Sequence, residues 1–167
     1  MDNKVTEAFH APSCLVHYTM EDEMDSVKNS LHFMHCMERF ATEVYRTQRG
    51  AFRKSELNDE FRAATENEHE HAVSLKDRVM ELGGVPARVG FLFQFAGIVL
   101  GILTRIFGKR CILQADVMVE KRAIRDYDSF VHRIDFDEQT IALLRRIIQD
   151  EERHVENWRN ALASLEA

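Results

Sequence analysis

The stretch "ATENEHEHAVSLK", residues 64–76, places three glutamates and two histidines within six consecutive positions. Read at helical spacing, it divides into two faces. The apolar stripe through Leu57, Phe61, Ala64, Leu75 and Leu82 also runs through Glu68 and His71, so these two are expected to point inward. Glu66 and His69 share their face with Asp59, Arg62 and Lys76, and that face, with Glu70, is expected to meet water.

The end of the chain repeats the arrangement. Leu144, Ile148, Trp158, Leu162 and Leu165 form an apolar stripe that Glu151 and His154 interrupt at the same i, i+3 spacing. Two further segments each carry one carboxylate in phase with their apolar residues. Glu38 lies among Leu31, Met34, Ala41 and Tyr45; Glu120 lies among Leu113, Val117, Ile124 and Tyr127. Four unpaired carboxylates in one core would repel one another and take up protons unless cations compensate them. Two divalent metals balance four carboxylates, and oxygen ligands with imidazole suit iron or manganese better than zinc. One Glu from each of two helices, with Glu-x-x-His from each of two others, is the dimetal pattern of ferritin-like bundles.

The rest of the chain suits such a bundle. It has 167 residues, 45 % hydrophobic and 30 % charged, enough for one domain with a proper core. Only Pro12 and Pro86 interrupt it, and helix formers are plentiful. Long helices are expected over residues 24–53, from after Ser55 to the "GGVP" stop at Gly83, over 109–133, and from a capping box of Asp135 with Glu138 toward the C-terminus. Residues 1–23 read as an arm and 24–167 as the bundle domain. The fold class is therefore all-α: a ferritin-like four-helix bundle with a short apolar helix between the second and third long helices.

Several function classes recede. The net charge is −6, with no basic stripe carrying interleaved aromatics, which argues against nucleic acid. Cys14, Cys36 and Cys111 form no C-x-x-C pair, so neither a disulfide framework nor a zinc ribbon is indicated; the latter two read as small hydrophobes. With no basic region before an apolar run at the N-terminus, a reduced, cytoplasmic setting is expected. His32, His35 and Glu43 share a face with Arg39 and Arg46 and are expected at a solvated surface, whereas Tyr45 and Tyr127 read as core tyrosines with a hydrogen-bond partner.

Residues 89–107, "VGFLFQFAGIVLGILTRIF", approach the length that a bilayer's hydrocarbon requires, though glycines, Gln94 and Arg105 interrupt them. Two readings stand: a buried crossover helix, or an interfacial helix whose flanking Arg88, Arg105, Lys109 and Arg110 meet anionic lipid. A partly exposed apolar helix would also favour a homodimer.

The segment "VPARVGFLFQFAGIVLGILTRIFGKRCILQADVMVEKRAIRDY" resembles the demethoxyubiquinone hydroxylase family, di-iron monooxygenases of ubiquinone biosynthesis. That family's proline turn leads into an apolar helix with A-G-x-x-L-G, then G-K, then A-V-E-E and a following tyrosine. "ERFATEVYRTQ" (Glu38 to Gln48) resembles its first ligand helix, "ENEHEH" stands where it has E-K-x-H, and "DEERH" stands near its D-E-E-x-E-H-H. The chain departs from the pattern at Lys121, Arg125 and Asp126, and carries a single His154 in the last motif.

The resemblance implies that Glu38, Glu68, His71, Glu120, Glu151 and His154 hold two irons, with Glu68 and Glu151 bridging. It implies an apolar helix on the inner face of the cell membrane, a quinone-like substrate, dioxygen and an external electron donor. A carboxylate-bridged di-iron(II) pair with open positions can reduce dioxygen to hydroxylate such a substrate. The rival readings are a ferritin- or rubrerythrin-like protein for iron oxidation or peroxide reduction, and a metal-free scaffold that binds a partner.

Overall fold

The computed structural model describes residues 20–86 and 90–165. Five helices and one short turn of 3-10 helix make up these residues: α1 (Met20–Gln48), the 3-10 turn (Arg49–Ala51), α2 (Leu57–Glu81), α3 (Gly90–Phe107), α4 (Lys109–Arg133) and α5 (Glu138–Ser164). There is no strand among them. Residues 20–23 already belong to the first helix, ahead of the expected start at Met24, and the helix gives way to the 3-10 turn after Gln48 rather than continuing to Arg53. Residues 1–19 of the expected arm lie outside the described residues.

Helix boundaries follow local chemistry. Ser55 stands just before α2, and its hydroxyl accepts from the Leu57 N–H at 3.3 Å. At the other end Gly83 adopts φ 72°, while Gly84 N–H reaches Val79 O at 2.8 Å and Gly83 N–H reaches Met80 O at 3.0 Å. This is a Schellman stop, which needs a left-handed residue that glycine supplies without strain. The last helix is capped one residue pair away from the expected box. Asp137, not Asp135, is the N-cap; its carboxylate accepts from Thr140 N–H at 3.0 Å, and Phe136 packs in the same core cluster as Ile141. Glu138 follows as the first helical residue, too early to close a box with Asp135.

The four long helices pair as α1 with α2 and α4 with α5. Tyr127 lies against Glu38 and Tyr45 against Glu120, so α1 and α4 run antiparallel. Two apolar clusters fill the bundle, one around Leu31, Leu75, Leu144 and Ile147, the other around Phe52, Phe61, Leu113 and Trp158. Within the second, Phe52 stacks on Phe61 and Phe61 on Trp158, with centroids 4.8 and 4.5 Å apart. The polar layer described below separates the two clusters.

Helix α3 is the crossover that carries the chain from the foot of α2 to the head of α4, lying along α1. Its contact stripe is Gly90, Gly97, Gly101 and Thr104. A Cβ on Gly97 would come within 2.3 Å of the Phe40 carbonyl, and one on Gly101 within 2.7 Å of Thr47 Cβ. Only glycine permits this backbone approach. The buried-crossover reading is corrected here: just 22 % of the helix is buried, and Phe91, Leu92, Phe95, Ile102, Leu103, Ile106 and Phe107 are exposed. Glycines make the closest contact, so Phe93 and Leu100 are only half-buried and the other large apolar side chains of α3 lie on the outside. By length and composition this helix is apolar enough to cross a membrane.

Candidate metal centre

The six residues singled out by phase converge. Glu38, Glu68, His71, Glu120, Glu151 and His154 are all buried, Glu68 completely so at 0 % exposure. They form two overlapping groups. One ligand atom each from Glu38, Glu68, His71 and Glu151 fall within 4.8 Å of one another, and so do atoms from Glu68, Glu120, Glu151 and His154. Glu68 and Glu151 belong to both groups. Glu66, His69 and Glu70 lie exposed on the other side of α2, as their phase requires.

The donor set fits a pair of hard cations. Both oxygens of Glu68, one of Glu151 and Nδ1 of His71 are buried without a hydrogen-bond partner, an arrangement that protein groups alone leave unsatisfied. Burial pushes the Glu68 carboxyl well up, and the neighbouring Glu151 and Glu38 charges push it further. Burial also raises Glu120, with Glu151 adding to it. In the absence of metal the imidazoles carry the balancing charge. Burial opposes a charge on His71, but Glu151 and Glu38 outweigh it and lift its pKa to about 11. His154 is raised for the same reason by Glu120, Glu151 and Glu68, and Glu151, against its own burial, is held low by His154 and His71.

Around this centre stand the two tyrosines expected in the core with a hydrogen-bond partner, and with them Trp158 and Asp150, which sequence reading did not tie to the centre. Tyr45 donates its hydroxyl to Glu120 Oε1, and Tyr127 donates to Glu38 Oε1. Each tyrosine follows the glutamate of its own helix by seven residues, so α1 and α4 clasp each other's carboxylates reciprocally. Equal Glu-to-Tyr spacing on two helices was the available signal. Trp158 extends the chain of bonds by donating its indole N–H to the Tyr45 oxygen at 3.0 Å. Asp150, the residue before Glu151, meets His71 Nε2 at 3.0 Å.

Two findings correct or extend the expectations for nearby polar residues. His35 and Glu43 are buried, not solvated: His35 Nδ1 meets Ala72 O of α2 at 2.8 Å, and Gly97 of α3 lies against the Glu43 side chain. Arg39 donates to Gln94 of α3 at 2.6 Å, and Arg46 to Glu43 at 2.7 Å. Asp116, one turn before Glu120, is fully buried with neither carboxylate oxygen bonded, and burial pushes its pKa well up despite the facing Gln48 amide. Leu165, counted in the α5 stripe, is exposed at the helix end.

Comparison with known proteins accords with this architecture. The chain is 24 % identical over 133 residues to a protein of Legionella pneumophila named 3-demethoxyubiquinol 3-hydroxylase, covering 79 % of this chain and 62 % of that protein. It is 23 % identical over 141 residues to the protein of the same name from Alcanivorax borkumensis, covering 84 % and 64 %, and 28 % identical over 128 residues to that of a Polaromonas species, covering 76 % and 61 %. The chain thus spans somewhat less than two thirds of the length of these curated relatives. The family model for the ubiquinone biosynthesis protein COQ7 matches residues 25–164, nearly all of the bundle, and the chain belongs to that family.

Proposed function

We propose that the protein is a dioxygen-dependent hydroxylase of a lipid-soluble, quinol-like aromatic, with two iron ions held by Glu38, Glu68, His71, Glu120, Glu151 and His154. The observation that carries this reading is the buried centre of four carboxylates and two imidazoles in two groups that share Glu68 and Glu151. Its shared glutamates are suited to bridge two cations. The relatives named 3-demethoxyubiquinol 3-hydroxylase supply the substrate class.

Two ferrous ions bound there would supply the Lewis acidity and the electrons for dioxygen reduction. In the overall reaction one oxygen atom enters a ring C–H bond as hydroxyl and the other leaves as water, consuming two electrons from an external donor and two protons. The protein's share is positioning. Tyr45 and Tyr127 fix Glu120 and Glu38, and Asp150 fixes the ring of His71. The apolar clusters on either side exclude water, which strengthens every electrostatic interaction within the centre.

A groove between α1, α2 and α3 supports access for a ring-sized substrate. It has a volume of about 310 Å³; Thr42, Ala72, Val73 and Pro86 line it together with His35, Gln94 and a charged rim that includes Arg39, Glu43 and Lys76. Thr42 stands one turn from Glu38, and Ala72 adjoins His71. The exposed apolar face of α3 would rest on a bilayer, from which such a substrate must come.

The test is direct. Protein reconstituted with ferrous iron and supplied with reductant, isotopically labelled dioxygen and a short-chain demethoxyquinol is expected to yield hydroxylated product carrying one labelled oxygen. Rapid ferrous oxidation or peroxide turnover with no labelled organic product would instead identify an iron-oxidising or peroxide-reducing relative.

A further inference from the structure

At the far end of α3 lies a second cavity, of about 490 Å³, where α3 meets the 3-10 turn after α1. Four guanidinium side chains line it: Arg46, Arg49, Arg53 and Arg105. Gly50 lies beneath them, and a Cβ there would stand 3.1 Å from the Arg105 guanidinium, so the bare backbone lets that group lie against the turn. Arg105 donates to the Thr47 carbonyl at 3.3 Å, and Arg49 makes two bonds to Asn58 Oδ1 at 3.2 and 3.1 Å. Both acceptors are neutral. They orient the guanidiniums and leave their charge uncancelled.

Among the described residues, only Arg46 of the four has a carboxylate partner, Glu43 at 2.7 Å. Arg53 forms no ion pair among the described residues. Like charges gathered in one concavity repel, and the ligand that relieves them is an anion with several oxygens. Guanidinium forks match phosphate in two-pronged fashion.

The neighbourhood selects the source of that phosphate. Arg105 belongs to the helix whose outer face is apolar, within one turn of Ile102 and Ile106, and Phe107 beyond it is 74 % exposed. A soluble phosphate compound has no use for that face, whereas a phospholipid presents acyl chain and headgroup together. We propose that the arginine cavity binds the phosphate headgroup of an anionic phospholipid while the apolar face of α3 lies in the bilayer. The inference rests on the lipid-facing reading of α3 given above, and it adds a defined headgroup site to it.

Vesicle flotation of the iron-loaded full chain tests both parts, using phosphatidylcholine vesicles with and without phosphatidylglycerol. Two variants accompany it: R53Q/R105Q, which removes charge, and G50L, which fills the cavity and keeps the charge. The wild type is expected to float with both vesicles and to prefer the anionic ones. R53Q/R105Q should float with neutral vesicles as the wild type does and lose roughly tenfold or more in its affinity for anionic ones. G50L should lose the same preference, which general surface charge does not explain. Undiminished preference in both variants, or equal wild-type binding to both vesicles, overturns the headgroup site and leaves the lipid-facing helix standing. A wild type that floats with neither overturns the lipid-facing reading itself and this site with it. Calorimetry with inorganic phosphate, without vesicles, forms the last arm: saturable binding lost in both variants, alongside no vesicle preference, assigns the cavity to a soluble phosphate compound and overturns the lipid assignment.

Discussion

His71 and Asp150 join α2 to α5: Nε2 of the imidazole lies 3.0 Å from Asp150 Oδ2, while Nδ1 of the same ring faces Glu151 at 3.3 Å and Glu38 at 3.7 Å. The contact decides which nitrogen is offered to the centre. A carboxylate behind a metal-binding imidazole fixes its orientation and strengthens it as a ligand. In Asp150→Ala the fold should persist, because Asp150 is partly exposed, and metal affinity should fall about 10- to 100-fold. Competition with a chromophoric chelator measures it; unchanged affinity would remove Asp150 from the centre.

Glu68 and Glu38 should fail differently. Glu68 belongs to both ligand groups and Glu38 to one. Glu68→Gln is expected to reduce bound metal toward zero, and Glu38→Gln to leave about one ion per chain, read by elemental analysis. Without metal the ranking reverses. Since burial and like charges raise the Glu68 pKa, the ionised form destabilises the folded state near neutral pH, and Glu68→Gln should raise metal-free stability by about 1–3 kcal/mol in urea unfolding.

Metal loading should release protons. His71 in the metal-free centre is lifted from 6.5 to about 11 and is therefore protonated at neutral pH. Its stabilising contribution to the metal-free protein is fully present below pH 6.5 and is lost as pH rises through about 11. A cation must displace that proton, so affinity should weaken as pH falls. Calorimetry in buffers of differing ionisation enthalpy counts the protons; none released at pH 7 would contradict the charge balance described here.

Gly97→Ala should lift α3 off α1. The added Cβ would meet the Phe40 carbonyl at 2.3 Å, and a backbone atom cannot step aside as a flexible side chain can. A loss of about 1–3 kcal/mol is expected, with faster proteolysis within α3. Wild-type protease resistance would show that the helices are less closely apposed.

Asp137 supplies an acid-sensitive latch between α2 and α5. Its carboxylate caps α5 and lies 2.7 Å from Arg78, and its pKa falls from 3.8 to about 2: burial opposes the charge, but the Thr140 N–H and Arg78 outweigh it. A depressed carboxyl stabilises the fold above its unfolded pKa and loses that contribution as pH falls from about 4 through about 2. Asp137→Ala should cost about 1 kcal/mol at pH 7, allowing for solvent screening at a partly exposed site, and should flatten the acid limb of the unfolding curve.

The layer of six ligating types was legible because a carboxylate in a leucine's place is conspicuous. Glu38, Glu68, Glu120 and Glu151 each sit in phase with an apolar stripe, and helical phase is local. Asp150 was not legible: its phase is that of a half-exposed residue, and its role comes from a histidine 79 positions away. Asp116 was passed over although its spacing to Glu120 put it on the inner face, since nothing in the sequence states that α3 would seal that end of the bundle through Thr104 and Gln48.

By itself the sequence determined the helices, their inward faces and the six carboxylate and imidazole residues that those faces bury, because these follow from periodicity. That Glu68 and Glu151 are common to both groups was implied only by the family resemblance and not by spacing. The tertiary structure alone decided that each tyrosine holds the opposite helix's glutamate and that α3 packs by its glycines with most of its apolar side chains outward. The physical reason is range. Phase is set over a few residues, whereas which side chains share a ligand, and which face of a uniformly apolar helix turns inward, depend on how closely two backbones far apart in the chain can approach.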